Sequence, residues 1–276
     1  MTISTISKNK STGPNSIPTK LLHELKYIIS KQLSNLVNLA FVTGTFPDLF
    51  KLAKVIPVYK KGDPLLSNNY RPISLLSNIG KLIEKLVHTR IYNFFEKIDC
   101  LYNQQFGFRA SHSTNDALIQ ITETIRTSLD KGQFSCGVFL DFQKAFDTVN
   151  HKILLSKLEH YGIRGIALDL IKSYLSNRKQ YVTINDIVSN TLGITLGVPQ
   201  GSVLGPLLFL VYINDLHNVI EHSLVHHFAD DTNLLYSSSS LKKINKHINH
   251  DLKLIVHWLR ANRISLNVDK TEIMFI

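Results

Sequence analysis

Cysteine is almost missing from these 276 residues: Cys100 and Cys136 are the only two, far apart, with no C-x-x-C pair. That argues against a disulfide framework or a zinc finger and fits a reducing compartment. Long hydrophobic runs are missing too. The longest, VLGPLLFLVYI at 203–213, contains Gly and Pro and is too short to span a bilayer. The opening MTISTISKNKSTGPNS lacks the apolar segment of a signal peptide. The expectation is an intracellular chain, of cytoplasm or nucleus, with no membrane partner. Acids are in short supply, 21 Asp and Glu against 31 Lys and Arg, for a formal net charge of +10. The excess is spread along the chain and not gathered in a tail, which favours a polyanionic partner. Hydrophobic residues make up 44%, enough for the core of one large domain or two small lobes.

Periodicity organises the rest. Residues 1–16 are polar and read as loose. From Ile17 and Pro18 onward, Leu21, Leu22, Leu25, Ile28, Ile29, Leu33, Leu36 and Val37 recur at helical spacing, until Thr43–Pro47 ends the pattern. KVIPVYKKGD (54–63) reads as a strand interrupted by Pro57, hence an edge strand, followed by a basic turn. A second amphipathic helix covers 78–98, and a third opens at Ser113 or Thr114. SCGVFLDF (135–142) is a run of strand formers ending at an acid. Helices at 151–160 and 164–175, strands near 180–185 and 190–196, and an apolar helix through Leu216 follow. LVHHF, ADDT and NLLY then read as strand, tight turn, strand, before a helix at 241–262 and a strand at 272–276. This order predicts an α+β fold with helices on one sheet face.

Two neighbouring acids, Asp230 and Asp231, stand between apolar runs in that hairpin. Adjacent carboxylates repel each other, and their burial is costly unless a cation pairs with them. Asp141 ends the earlier strand. A strand end and a hairpin turn in one sheet could share an edge and form a hard oxygen site of the kind Mg²⁺ prefers. Taken alone, the same acids could be a helix cap and an ordinary turn.

The surrounding words decide more. VFLDFQKAFDTVNH, LGVPQGSVLGPLLFLVYINDL and FADDTNLL, in this order, resemble the palm motifs of reverse transcriptases. YRPISLLSNIGKLIEKLVHTRI and QQFGFRASHSTNDAL resemble the fingers motifs of the non-LTR, LINE-type retrotransposon branch, jockey-like elements in particular. The resemblance implies right-hand polymerase fingers at about 54–134 and a palm with a ferredoxin-like sheet at about 135–276. It covers 38–276, after a helical lead-in at 1–37. Because the chain ends just past the fourth palm motif, the thumb is expected to be missing.

The resemblance also implies roles. Asp141, Asp230 and Asp231 would be catalytic carboxylates holding two Mg²⁺ ions, for which Mn²⁺ could substitute, with Asp231 farther out. Phe228 stands where the commoner hairpin has Tyr. Phe146, five residues after Asp141, would fill the space that a 2′-hydroxyl needs. Gln200 could bond the template strand or the incoming sugar, and Gly201 would let the backbone approach a nucleotide. Arg71 and Arg109 would fork the triphosphate oxygens, although Arg109 could equally contact template backbone. Lys60 and Lys61 would add charge, or form a solvated basic turn. Lys270 could protonate the leaving pyrophosphate or neutralise it. His226 and His227 alternate across a strand and are read as structural.

The implied activity is RNA-directed DNA polymerisation. The 3′-hydroxyl of a DNA primer attacks a dNTP under the direction of an RNA template, with no cofactor beyond the metal. The oligomeric state stays open. A truncated relic that only folds or binds nucleic acid is the alternative. A group II intron maturase or retron enzyme shares the chemistry, and Phe146 disfavours a viral RNA polymerase.

Overall fold

The computed structural model describes residues 11–14 and 17–276. Most of the polar stretch 1–16 lies outside them. In chain order the elements are α1 (Thr19–Glu24), α2 (Lys26–Thr43), β1 (Leu52–Tyr59), β2 (Tyr70–Leu75), α3 (Asn78–Lys97), α4 (Thr114–Asp130), β3 (Phe134–Leu140), α5 (Ala145–Thr148), α6 (His151–His160) and α7 (Ile166–Leu175). They continue with β4 (Arg178–Ile184), β5 (Ile187–Val188), β6 (Leu192–Ile194), α8 (Leu204–Ile213), β7 (Leu224–Phe228), β8 (Asp231–Ser238), α9 (Leu241–Ala261) and β9 (Glu272–Phe275). The chain forms two compact units, one of residues up to Phe94 with His151–Leu208, the other of Phe95–Asn150 with Phe209–Ile276. The expected division of fingers from palm at 134/135 does not coincide with this partition.

The first unit is built on a sheet ordered β2-β1-β4-β5, with β6 also paired to β4. Here the edge-strand expectation for β1 is corrected. Leu52–Val55 pair in parallel with Lys179–Val182 on one side, and Lys54–Tyr59 pair antiparallel with Tyr70–Leu75 on the other. Lys54 and Val55 are paired on both sides, and from Ile56 onward β1 has β2 alone as its partner; Pro57, which has no N–H to give, falls in that half. β2 was not anticipated as a strand, because Pro72 interrupts its short pattern; it faces Pro57 across the pair. The long first helix is divided into α1 and α2 at Leu25. Phe46 packs edge-on against Tyr174 at 5.1 Å, and Ile83, Leu154, Leu158 and Ile171 are fully buried around this core.

The second unit holds a four-stranded sheet ordered β7-β8-β3-β9, antiparallel throughout. Numbered in their own sequence, the strands run 4-1-3-2 from β9, the ferredoxin-like order that the resemblance implies. Helices α4 and α9 pack on this sheet. Ser113 opens α4 through a reciprocal capping box with Asp116. On α9, Ile244, Ile248, Ile255 and Leu259 recur at helical spacing and are all buried, so the helix is held by one apolar stripe.

Both histidines of β7 are buried, as their structural assignment requires. The Nδ1 of His227 is 2.8 Å from the Thr232 hydroxyl, while its Nε2 is buried without a partner. Burial, then the neighbouring His217 and His226, pushes its pKa down to about 3. The unfolded chain takes up this proton near the ordinary histidine value of about 6.5, so the folded state loses stability as pH falls through that value toward about 3. We expect His227→Gln to flatten the decline in urea-melt stability between about pH 6.5 and 4. Parallel pH profiles for the two proteins would contradict this origin.

Candidate active site

The register of β3 against β8 brings the acids together. Leu140 faces Thr232, the last pair of the ladder. One step outward, Asp141 follows Leu140 and Asp231 precedes Thr232, so both leave the sheet at the same end. Asp231 is paired with Phe228, which leaves Ala229 and Asp230 as a two-residue hairpin turn. The first turn position carries the left-handed φ, +58° at Ala229, a conformation that a side chain makes costly.

That turn is clamped from outside. Residues 104–106 run alongside β7: His227 N–H donates to Gln104 O at 2.9 Å, and Phe106 N–H donates to His227 O at 2.8 Å. The buried Gln105 side chain then accepts from Ala229 N–H at 3.0 Å and from Gly107 N–H at 2.8 Å. A Cβ on Gly107 would overlap the Ala229 backbone nitrogen. Gln105 and Gly107 were overlooked as site residues, although the QQFGFR motif contains both. No periodicity could reveal that this loop docks on the acidic turn.

Asp141 is fixed by the segment after α9. Asn267 donates its side-chain N–H to Asp141 Oδ2 at 2.7 Å and its backbone N–H to Asp141 O at 2.8 Å. Lys270 Nζ stands 3.4 Å from the same Oδ2. Partial burial, then the negative charges of Asp230 and Asp141, push the Asp231 carboxyl above its usual range, and Lys270 pulls it down. Three carboxylates in mutual repulsion, with one lysine to offset them, are a donor set suited to a hard divalent cation. They are not drawn tight: among the described residues, the group whose ligand atoms all lie within 4.8 Å is Glu221, His222 and His250.

Phe146 lies on α5, in the same unit. Its ring stacks on Phe209 at 4.6 Å and meets Phe108 edge-on at 6.1 Å, and it remains half-buried. Two aromatic neighbours hold its orientation. Arg109 departs from the fork expected for it. Its guanidinium donates to Glu96 at 3.1 Å and to Tyr102 O at 3.0 Å, and its side chain is only 6% exposed. This ion pair ties the 102–109 loop to the end of α3 and leaves little to offer a triphosphate.

The remaining candidates lie in the first unit. Lys60, Lys61 and Arg71 are exposed at the turn end of the β1–β2 hairpin. Gln200 O accepts from Ser74 N–H at 2.7 Å, so the Pro199–Gly201 turn is seated on β2. Gly201 has φ +113°, and a Cβ there would come 2.7 Å from Ser74 O. The close approach anticipated for Gly201 is therefore made to β2, and no nucleotide is needed to explain the glycine.

Glu84 secures the other side of this turn and was not anticipated. Buried on α3, it accepts from Val203 N–H at 2.6 Å and Leu204 N–H at 3.1 Å, capping α8 from another helix. Burial pushes its pKa up, against the opposing pull of Arg178 and those two N–H groups. Arg178, also fully buried, donates to Tyr174 O at 3.2 Å, and its Nε and one terminal nitrogen have no partner. The signal in the sequence is that Glu84 falls on the stripe of Gly80, Val87 and Ile91, where an acid has no business unless something holds it.

The model of the reverse transcriptase (RNA-dependent DNA polymerase) family matches residues 58–275. The chain belongs to the reverse transcriptase family. The RNA-directed DNA polymerase from mobile element jockey of Drosophila melanogaster is 30% identical over 97% of this chain. The probable RNA-directed DNA polymerases from transposon BS and transposon X-element of the same fly are each 32% identical, over 98% and 96% of the chain. The chain spans 30% of the length of each of these three relatives. Its reverse transcriptase fold is also similar to telomerase from Candida albicans, solved with a fragment of telomeric RNA. That match has TM-score 0.59 and 14% identity, over 93% of this chain and 46% of that one.

Two outcomes follow. Gly201→Ala should destabilise the protein by about 1–3 kcal/mol in urea melts, from backbone strain and the contact with Ser74; an unchanged midpoint would show that the turn is not seated on β2. Because the folded pKa of Asp231 is raised, its stabilising contribution is present at low pH and is lost as pH rises through that pKa. Asp231→Asn should therefore melt higher than the parent at neutral pH in EDTA, with the gap closing in acid. An equal or lower melting temperature at neutral pH would count against carboxylate repulsion.

Proposed function

We propose that the chain is the catalytic region of a non-LTR retrotransposon reverse transcriptase, extending a DNA primer with dNTPs on an RNA template. One observation carries this reading: Asp141 and Asp231 leave the sheet opposite each other, beside Asp230, in a ferredoxin-like sheet with Lys270 alongside. The named activity of the jockey relative supports it, as does the net charge of +10, which suits polyanionic strands bound without regard to sequence. The three aspartates would hold two Mg²⁺ ions, which when bound supply the positive charge that phosphoryl transfer requires.

The chain's own residues then divide the work. Gln105 and Gly107 hold the acidic turn, and Asn267 and Lys270 hold Asp141 in place. Phe146, braced by Phe209, fills the space that a ribose 2′-hydroxyl would need. Lys60, Lys61 and Arg71 offer exposed cations to phosphate oxygens. Arg109 belongs with the scaffold. We assign the fingers to about 54–134 and the palm to about 135–276. No helix among the described residues is long and apolar enough to cross a membrane.

Primer extension on poly(rA)/oligo(dT) with Mg²⁺ or Mn²⁺ tests the reading. TTP incorporation should fall by about a thousandfold or more in Asp230→Ala, an electrostatic loss of at least about 4 kcal/mol. Phe146→Val should narrow the preference for TTP over UTP by about tenfold or more. Template binding with no extension, in parent and variant alike, would favour the binding-only alternative. Unchanged nucleotide discrimination would remove Phe146 from the sugar gate.

A further inference from the structure

A second cluster of ligating side chains lies in the same unit at the other end of β7. The turn 221–223 leads into this strand, and the acidic turn 229–230 leaves it, roughly 20 Å farther along at about 3.3 Å per residue. Glu221, His222 and His250 place a carboxylate oxygen and two imidazole nitrogens within 4.8 Å of one another. His250 Nε2 is already 3.0 Å from Glu221 Oε2. A third imidazole adjoins them: His247, one turn before His250 on α9, meets the His222 ring at a centroid distance of 3.9 Å. Its Nδ1 is buried without a hydrogen-bond partner.

The backbone beneath these side chains is held. Asp251, fully buried on α9, accepts from the backbone N–H of Glu221 at 3.2 Å, of His222 at 3.3 Å and of Ser223 at 2.8 Å. It also accepts from the Ser223 hydroxyl at 2.6 Å. Two of the donors thus ride on a turn pinned to α9, and the third is on α9 itself. Little chain entropy remains to be lost when an ion binds, which distinguishes this arrangement from a chance meeting of exposed side chains. A solvated histidine–glutamate ion pair would account for His250 and Glu221. It leaves the placing of His222 and the unsatisfied nitrogen of His247 unexplained.

We propose that Glu221, His222 and His250 bind a borderline transition-metal ion, Zn²⁺ by chemistry, with His247 or water completing a tetrahedral shell. Mixed imidazole and carboxylate donors suit Zn²⁺ and neighbouring metals, and do not suit the hard Mg²⁺ assigned to the aspartates. The ion would staple α9 to the entry of β7, the strand whose far end carries the acidic turn. This site does not depend on the proposed polymerase activity.

The test is titration of the EDTA-stripped, dialysed chain with ZnCl₂ by calorimetry, together with the visible spectrum of added Co²⁺. The expected result is one tight equivalent, a tetrahedral Co²⁺ band that Zn²⁺ abolishes, and a Zn²⁺-dependent rise in melting temperature. His222→Ala and His250→Ala lie at exposed positions and should fold as the parent does, checked by circular dichroism. Each should weaken Zn²⁺ binding by about tenfold or more, whereas Asp230→Ala should bind Zn²⁺ as the parent does. Absence of saturable Zn²⁺ binding, equal binding by both histidine variants, or loss of binding in Asp230→Ala would overturn the site.

Discussion

The pairing of β3 with β8 is the constraint on which the candidate centre rests. Seven residue pairs, from Phe134 with Ser238 to Leu140 with Thr232, fix which side chains face which. Side chains alternate across a strand, so a slip of one residue along β8 would put Asp231 on the face away from Asp141 and part Leu234 from Val138. The apolar residues of these strands therefore determine where the acids stand. Val138, Leu140, Leu234 and Leu235 are buried, and their burial enforces a like-charge arrangement that no carboxylate would choose. Folding energy drawn from the core is what keeps the charges close.

Much of this was legible in the residue order, and particular elements show why. The apolar run ending at Asp141 and the ADD turn each announce an element and an acid at its end, because strand formers and a tight turn are local properties. α6 was expected at 151–160 and occupies those residues. Ser113 is visible as a cap because capping spans only four residues. What escaped was long-range. β2 hides behind Pro72, and β1 looked like an edge because Pro57 speaks only for its own half of the strand. Arg109 carried the charge of a phosphate ligand, and only folding could show that Glu96 and Tyr102 had already taken it.

Glu84 and Gln105 illustrate a shared principle. Each is a buried polar side chain that accepts two backbone N–H groups: Glu84 takes both from a segment distant in sequence, and Gln105 takes one from the distant acidic turn and one from neighbouring Gly107. A buried acceptor is tolerated only when its partners are in place, so each loop has few alternatives to its observed path. One fastens the Val203–Leu204 end of the Pro199–Gly201 loop, the other the acidic turn. Neither touches a reacting atom, yet each governs a segment to which a role in catalysis or binding is assigned.

Ala229 shows what such fastening makes possible. Glycine would adopt φ +58° without strain, but a glycine at the hairpin tip would also sample several other directions. The methyl group narrows those choices, and the Gln105 bond selects the uncomfortable one. Holding this φ costs the tip on the order of 1 kcal/mol, in exchange for aim: the turn that carries the neighbouring carboxylate has one path out of the sheet. Rigidity here is a form of readiness, obtained with a single carbon atom.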